Sequence, residues 1–192
     1  MAITGMPGSG KSYYSKLISD AIKAPVFAMG DVVREEVSLR GLPLTIENIE
    51  RVATELREKQ GKGIVALLLL KKIEGCNSNV ILIDGIRSLE EIEVIEKKYD
   101  VCLIAIHAPP AVRFKRVMER NRGGKGITLD EFKFRDMKNL EYGIGEVIAL
   151  SDYIIINDTD KGPSETFGKV LGAIKDGSWK SYCRGGVKAY RG

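Results

Sequence analysis

Residues 5–12, Gly5-Met6-Pro7-Gly8-Ser9-Gly10-Lys11-Ser12, match G-x-x-x-x-G-K-[ST] in full and follow the apolar run Ala2-Ile3-Thr4. Such a loop turns successive backbone N–H groups inward around phosphate oxygens. The helix that begins there directs the positive end of its dipole at the same anion. Lys11 is placed to reach the β- and γ-phosphates, and the Ser12 hydroxyl to hold Mg²⁺. Tyr14, Leu17, Ile18, Ala21 and Ile22 recur at helical spacing directly after the loop, which makes the unit strand–loop–helix. The expected ligands are ATP and Mg²⁺.

Four further apolar runs read as strands: Val26–Met29, Val80–Ile83, Val101–Ile106 and Tyr153–Ile156. They do not alternate with polar residues, as expected of a parallel sheet covered on both faces. Helical patterns lie between them, over Asp31–Arg40, from Thr45 onward and over Ile64–Ile73. Ser88-Leu89-Glu90-Glu91 and Thr128-Leu129-Asp130-Glu131 have the form of capping boxes, and Pro109-Pro110 suits the first turn of a helix running to about Arg120. Strands alternating with helices predict a doubly wound α/β domain. Only Met1 to Thr4 precede the loop, so the first strand is either short or cut by the assigned start.

Cys76, Cys102 and Cys183 are widely spaced without C-x-x-C, and His107 is the one histidine, which argues against a disulfide framework or a zinc site. Any Mg²⁺ should arrive with the nucleotide. The longest apolar run, Ile64 to Leu70, is too short to span a bilayer, so no membrane is expected and a reducing cytoplasm is the default compartment. The net charge of +4 sits in residues 175–192, where five cations face Asp176, leaving the rest of the chain neutral overall.

Val80-Ile81-Leu82-Ile83-Asp84 is an apolar strand ending in a carboxylate, the form of an acid on the Mg²⁺ side of the nucleotide. Gly85 follows it where water-activating ATPases place glutamate, and neither D-x-x-G nor N-K-x-D occurs. Phosphoryl transfer to a second small molecule fits better. Arg34 and Arg87 each lie about one turn beyond a strand's carboxyl end, where they could grip an acceptor's phosphate. Arg113, Arg116, Arg120 and Arg122 lead into Gly123-Gly124-Lys125-Gly126, the composition of a lid that closes over the donor. Arg116 and Arg120, with Arg135 third, are the expected transition-state contacts. Asp31 is either the base for a hydroxyl acceptor or a helix cap.

The phosphate loop, G-D-x-x-R, D-G-x-R, arginine-rich lid and A-L-S-D-Y-I-I-I-N-D resemble the adenylate-kinase and dephospho-CoA-kinase branch of P-loop kinases. Within it, the chain is similar to an archaeal adenylate-kinase-related family. The resemblance covers roughly residues 1–160 and implies a five-stranded parallel sheet of order 2-3-1-4-5 with a short helical lid. It also implies Gly5–Ser12 on ATP, Asp84 near Mg²⁺, Arg34 and Arg87 at the acceptor, and the loop after Asn157 beside the adenine. One residue is missing from Asp84-Gly85-Ile86-Arg87 relative to adenylate kinase, which questions the reach of Arg87. Residues 1–176 are thus expected to form one kinase-like domain, with an acceptor-binding helical insert over about 31–75 and a lid over about 113–135. Residues 177–192 form a basic tail, expected to be flexible and able to make a weak RNA contact, with a fold-back of Trp179 and Tyr182 onto the body as the alternative. Two functions remain: a kinase of a nucleotide-like acceptor, or an ATP-binding module or slow ATPase acting with RNA or a protein.

Overall fold

A computed structural model describes residues 1–120, 127–158 and 163–183, apart from the side chains of 120, 181 and 182. Five parallel strands, β1 (Ala2–Thr4), β2 (Val26–Ala28), β3 (Leu82–Ile86), β4 (Leu103–His107) and β5 (Tyr153–Ile156), pair in the order β2-β3-β1-β4-β5. The expected strand order is therefore present. β1 is central although only three residues long, and Met1 extends it by donating its nitrogen to the Ile81 carbonyl at 2.8 Å.

Strand residues alternate between two cores. Ala2, Ile83 and Leu103 face one, while Ile3, Leu82 and Ile104 face the other. Burial on both faces is why these strands read as unbroken apolar runs. The first core is roofed by α2 (Met29–Leu39), α3 (Ile46–Gln60), α4 (Ile64–Lys72), α5 (Leu89–Glu96) and α8 (Ile144–Ala149). The second lies under α1 (Lys11–Ile22), α9 (Glu165–Asp176) and α10 (Trp179–Tyr182). A smaller cluster of Val117, Ile127 and Phe132 joins α6 (Pro110–Arg120) to α7 (Leu129–Tyr142).

Local signals set the helix starts. Thr128 and Glu131 form the complete capping box that opens α7. The second expected box is only half formed. The Ser88 hydroxyl accepts from the Glu91 N–H at 3.3 Å, but the Glu91 carboxylate turns inward to the Arg87 N–H and the Arg57 guanidinium, each at 2.7 Å. A buried cation outcompetes the local cap.

One expectation fails at the chain's end. Cys102 and Cys183 form a disulfide across 81 residues, where cysteine spacing had argued against a disulfide framework. Closing such a loop removes about 4–5 kcal/mol of entropy from the unfolded chain. Cysteine usage therefore does not argue for a reducing compartment. For the tail, the sequence left two readings, flexible from residue 177 or folded back through Trp179 and Tyr182. Trp179 and Cys183 pack against the second core, so the start of that segment is docked on the body, and residues 184–192 of the tail lie outside the described residues. Spacing along the chain cannot show that the end of α9 brings Cys183 back over the start of β4.

Candidate functional site

The phosphate loop runs from the end of β1 to the start of α1, at the carboxyl edge of the sheet. Its glycines are required by contact as well as by conformation. Gly10 begins the helix at φ +100°, and a Cβ there would lie 2.3 Å from Asn157 Nδ2. Gly8, at φ +82°, carries the loop under α6, where a Cβ would meet the Arg113 carbonyl oxygen at 2.8 Å. Both are conformations that L side chains rarely adopt. Asn157 Nδ2 donates to the Ser9 carbonyl at 2.7 Å, clamping the loop from behind.

Lys11 lies along the loop, its Nζ donating to the Gly5 carbonyl at 2.7 Å and the Met6 carbonyl at 3.2 Å. Burial brings its ammonium down to about 8, against the opposing pull of Asp84. A bound tetra-anion would restore the charge. Mg–ATP binding should therefore take up a proton near pH 8 and almost none near pH 6, readable by calorimetry in buffers of differing ionisation enthalpy.

The Ser12 hydroxyl donates to Asp84 Oδ2 at 3.1 Å, while Asp84 Oδ1 is buried without a protein partner. Burial pushes the Asp84 carboxyl up, with Lys11 and Ser12 opposing. A hard cation bound through oxygens would satisfy the orphaned atom and favour the ionised form, so this pair fits Mg²⁺.

Gly8, Gly10, Lys11, Ser12, Tyr13 and Arg116 line a cleft of about 450 Å³. Arg116 Nη1 donates to the Asn157 carbonyl at 2.9 Å, which places α6 along this cleft. The Arg120 side chain and residues 121–126, the expected centre of the lid, lie outside the described residues, as do residues 159–162 of the expected adenine loop. Arg113 departs from the expectation of a lid cation. It is buried, pairs bidentately with Asp136 at 2.7 and 2.8 Å, and donates to the Pro7 carbonyl at 3.0 Å.

On the other side of Asp84, Arg34, Arg87 and Arg135 line a second, smaller cavity with Met29, Val33 and Ile49. Arg87 reaches it despite the shortened D-G-x-R. Asp31 does not cap α2, whose N-cap is Ala28; it sits in the first turn, paired with Arg34. Glu50, on α3, forms part of this cavity, with its carboxylate 3.8 Å from Arg87 and 3.7 Å from Arg135. Behind it, Arg57 donates to Glu91 at 2.7 Å and stacks 4.4 Å above the Tyr142 ring, whose hydroxyl lies 2.7 Å from Thr54 Oγ1. Glu50, Arg57, Asp136 and Tyr142 carried no motif in the sequence, and Glu91 read only as part of a capping box. Their signal, charged residues on the apolar stripes of α3, α5 and α7, is visible only once those stripes are known to face one another.

A phosphate loop on the central strand of a 2-3-1-4-5 sheet, beside a helical insert that bears a second cationic cavity, defines a P-loop domain of the nucleotide-kinase type. A protein-family model described as an AAA domain matches residues 4–133. The chain belongs to the UPF0200 family. It is 44% identical over 169 residues to a UPF0200 protein of Hyperthermus butylicus, covering 88% of this chain and 90% of that one. A UPF0200 protein of Aeropyrum pernix is 45% identical over 158 residues, covering 82% and 83% of the two chains. Among solved structures, TT1252 from Thermus thermophilus superposes with a TM-score of 0.58 at 19% identity, over 92% of this chain and 95% of that one. A shikimate kinase from Bacteroides thetaiotaomicron gives 0.55 at 16% identity, over 91% and 95%. These likenesses establish the fold.

Proposed function

We propose that the protein transfers the γ-phosphoryl group of Mg–ATP to a second small molecule, nucleotide-like in carrying an anionic group. One observation carries this reading. β3 carries Asp84, which accepts from Ser12 of the phosphate loop, and Arg87, directly after β3, lines the cationic cavity, so one short stretch of chain joins the two sites. A donor held by main-chain amides and an acceptor held by guanidinium groups would meet at Asp84. Bringing two reactants together in this way supplies much of the rate in phosphoryl transfer.

The residues divide the work. The loop amides and Lys11 hold the β- and γ-phosphates, and Arg116 offers a guanidinium along the donor cleft. Ser12 and Asp84 would hold Mg²⁺, which supplies charge neutralisation on the phosphates when bound. Arg34, Arg87 and Arg135 orient the acceptor. Asp31, paired with Arg34 in the first turn of α2, would be the carboxylate that removes a proton from a hydroxyl acceptor.

The test is ADP formation from Mg–ATP, alone and with nucleoside monophosphates, dephospho-CoA and hydroxylated organic acids, and separately with RNA. Acceptor-dependent ADP formation is expected. Release indifferent to every acceptor but raised by RNA would replace the kinase with an RNA-linked ATPase. For a hydroxyl acceptor, Asp31→Ala should lower turnover by about 100-fold or more while Mg–ATP affinity stays nearly constant. Unaltered turnover would remove Asp31 from the chemistry.

A further inference from the structure

The cavity that the preceding reading gives to the acceptor contains a group that ought to repel a phosphate. Glu50 is 3% exposed, and its carboxylate is part of the lining. Among the described residues its partners are all long: one hydrogen bond from a tyrosine and two loose ion pairs, with no short donor. Arg87 Nη1 is 3.8 Å away, Arg135 Nε 3.7 Å and the Tyr142 hydroxyl 3.5 Å. The tyrosine makes its short contact elsewhere, with Thr54. Arg57, on the same helix, is committed to Glu91 and to the Ala53 carbonyl. Arg135 Nε is likewise buried without a hydrogen-bond partner. The cavity therefore presents a carboxylate held only by long contacts beside a buried guanidinium N–H without a hydrogen bond.

The charge balance is close. Four guanidinium groups line the cavity, from Arg34, Arg57, Arg87 and Arg135; Asp31 pairs with Arg34 and Glu91 with Arg57, so with Glu50 the group carries a single net positive charge. The cavity is also small, about 80 Å³. In the free protein, water can satisfy the Glu50 carboxylate. A ligand that displaces that water must return hydrogen-bond donors or leave the carboxylate desolvated and unpaired, which is costly. A dianion with only lone pairs to offer would meet Glu50 as a like charge without a proton between them.

We infer that Glu50 makes this cavity select by proton: it admits a singly charged anion bearing a hydroxyl or an acidic O–H and rejects a dianion that has none. The anionic oxygens lie on Arg87 and Arg135, and the O–H donates to Glu50. The acceptor class that follows is a small hydroxylated monoanion. The fully ionised phosphate of a nucleoside monophosphate is disfavoured. Sites built to hydrogen-bond a ligand's O–H reject analogues lacking it by large factors, because the protein group is left unpaired.

Two inorganic probes test this directly. Dihydrogen phosphate is a monoanion with two O–H donors, and sulfate is a dianion with none. Each is titrated calorimetrically into protein saturated with Mg²⁺ and a non-hydrolysable ATP analogue, so that the phosphate loop is filled. At about pH 5 the wild type should bind phosphate at least about 10-fold more tightly than sulfate. That preference should shrink towards about pH 8 as phosphate loses its second proton. Sulfate does not titrate in this window, so its own trend reports any change in the protein.

Glu50→Gln keeps the shape, removes the charge and adds a donor. It should bring sulfate affinity up to that of phosphate, with Mg–nucleotide affinity unchanged. Equal affinities for the two anions in the wild type at about pH 5, or an undiminished preference in Glu50→Gln, would overturn the inference. Should Glu50→Gln not fold, the wild-type comparison decides alone. The kinase reading fails separately, if the analogue does not bind. The wild-type to Gln difference would still report on this cavity, because the phosphate loop is the same in both proteins.

Discussion

Arg113→Ala is expected to destabilise the protein by about 3–5 kcal/mol, because it leaves Asp136 as an uncompensated charge against the core. For a chain of this size that is a fall in melting temperature on the order of 10 °C. The guanidinium is 4% exposed, pairs bidentately with Asp136, and donates to the Ala108 and Pro7 carbonyls at 3.1 and 3.0 Å. It also lies 5.1 Å from the Phe132 ring centroid. One side chain thus ties α6 to α7 and both to the phosphate loop. The loss should therefore extend to Mg–ATP affinity, by about 10-fold or more, since the loop carbonyl at Pro7 loses the donor that fixes it. Arg113→Lys keeps the charge but not the planar fork, so it should recover only part of either quantity. Thermal unfolding and calorimetric titration with Mg–ATP measure both. An unchanged melting temperature would mean that Arg113 belongs to a mobile lid after all.

Arg113 also shows where the sequence stops being informative. Six cations against one acid within residues 113–125 read as a solvent-facing, phosphate-seeking lid. Within that run, Arg116 does lie along the donor cleft, whereas Arg113 points into the junction of two helices. The two are three residues apart, nearly one helical turn, so composition could not separate them. What separates them is Asp136, a residue 23 positions away that meets Arg113 only through tertiary packing. The phosphate loop was legible because its chemistry is local: eight consecutive residues carry the amides, the ammonium and the hydroxyl. The sheet was legible because apolar runs and helical spacing are local too. Strand order was carried by resemblance, and the sheet pairs as that resemblance implied. Glu50 was not legible. A glutamate in the segment Ile46-Glu47-Asn48-Ile49-Glu50 looks like a solvated face until Arg87 arrives from the end of β3, and Arg135 and Tyr142 from α7. The Cys102–Cys183 bond was hidden for the same reason, at a separation of 81 residues. Long-range pairs of single residues leave no periodicity to read.

Lys11→Met should separate catalysis from stability more sharply than any other substitution. Methionine keeps an unbranched stem of similar length and loses the ammonium. Turnover should fall by about 1,000-fold or more, the scale seen when a charge aimed at a developing anion is removed, and Mg–ATP affinity should fall with it. Stability should respond in the opposite sense. Burial holds the folded-state value of Lys11 at about 8, below its value in an unfolded chain. The folded protein thus carries the full cost of the buried ammonium below about pH 8, and that cost is relieved as pH rises towards the unfolded value of about 10.4. The cost is on the order of a few kcal/mol and is partly offset by the bonds from Nζ to the Gly5 and Met6 carbonyls. The unliganded variant should therefore unfold at a higher temperature than the wild type near pH 7, and the gap should narrow from about pH 8 upward. Thermal scans of both proteins between about pH 6 and about pH 10 test this. A gap that is absent, or that widens with pH, would mean the ammonium is not strained in the free protein. Its role as a preformed counter-charge for the triphosphate would then have to be assigned elsewhere in the loop.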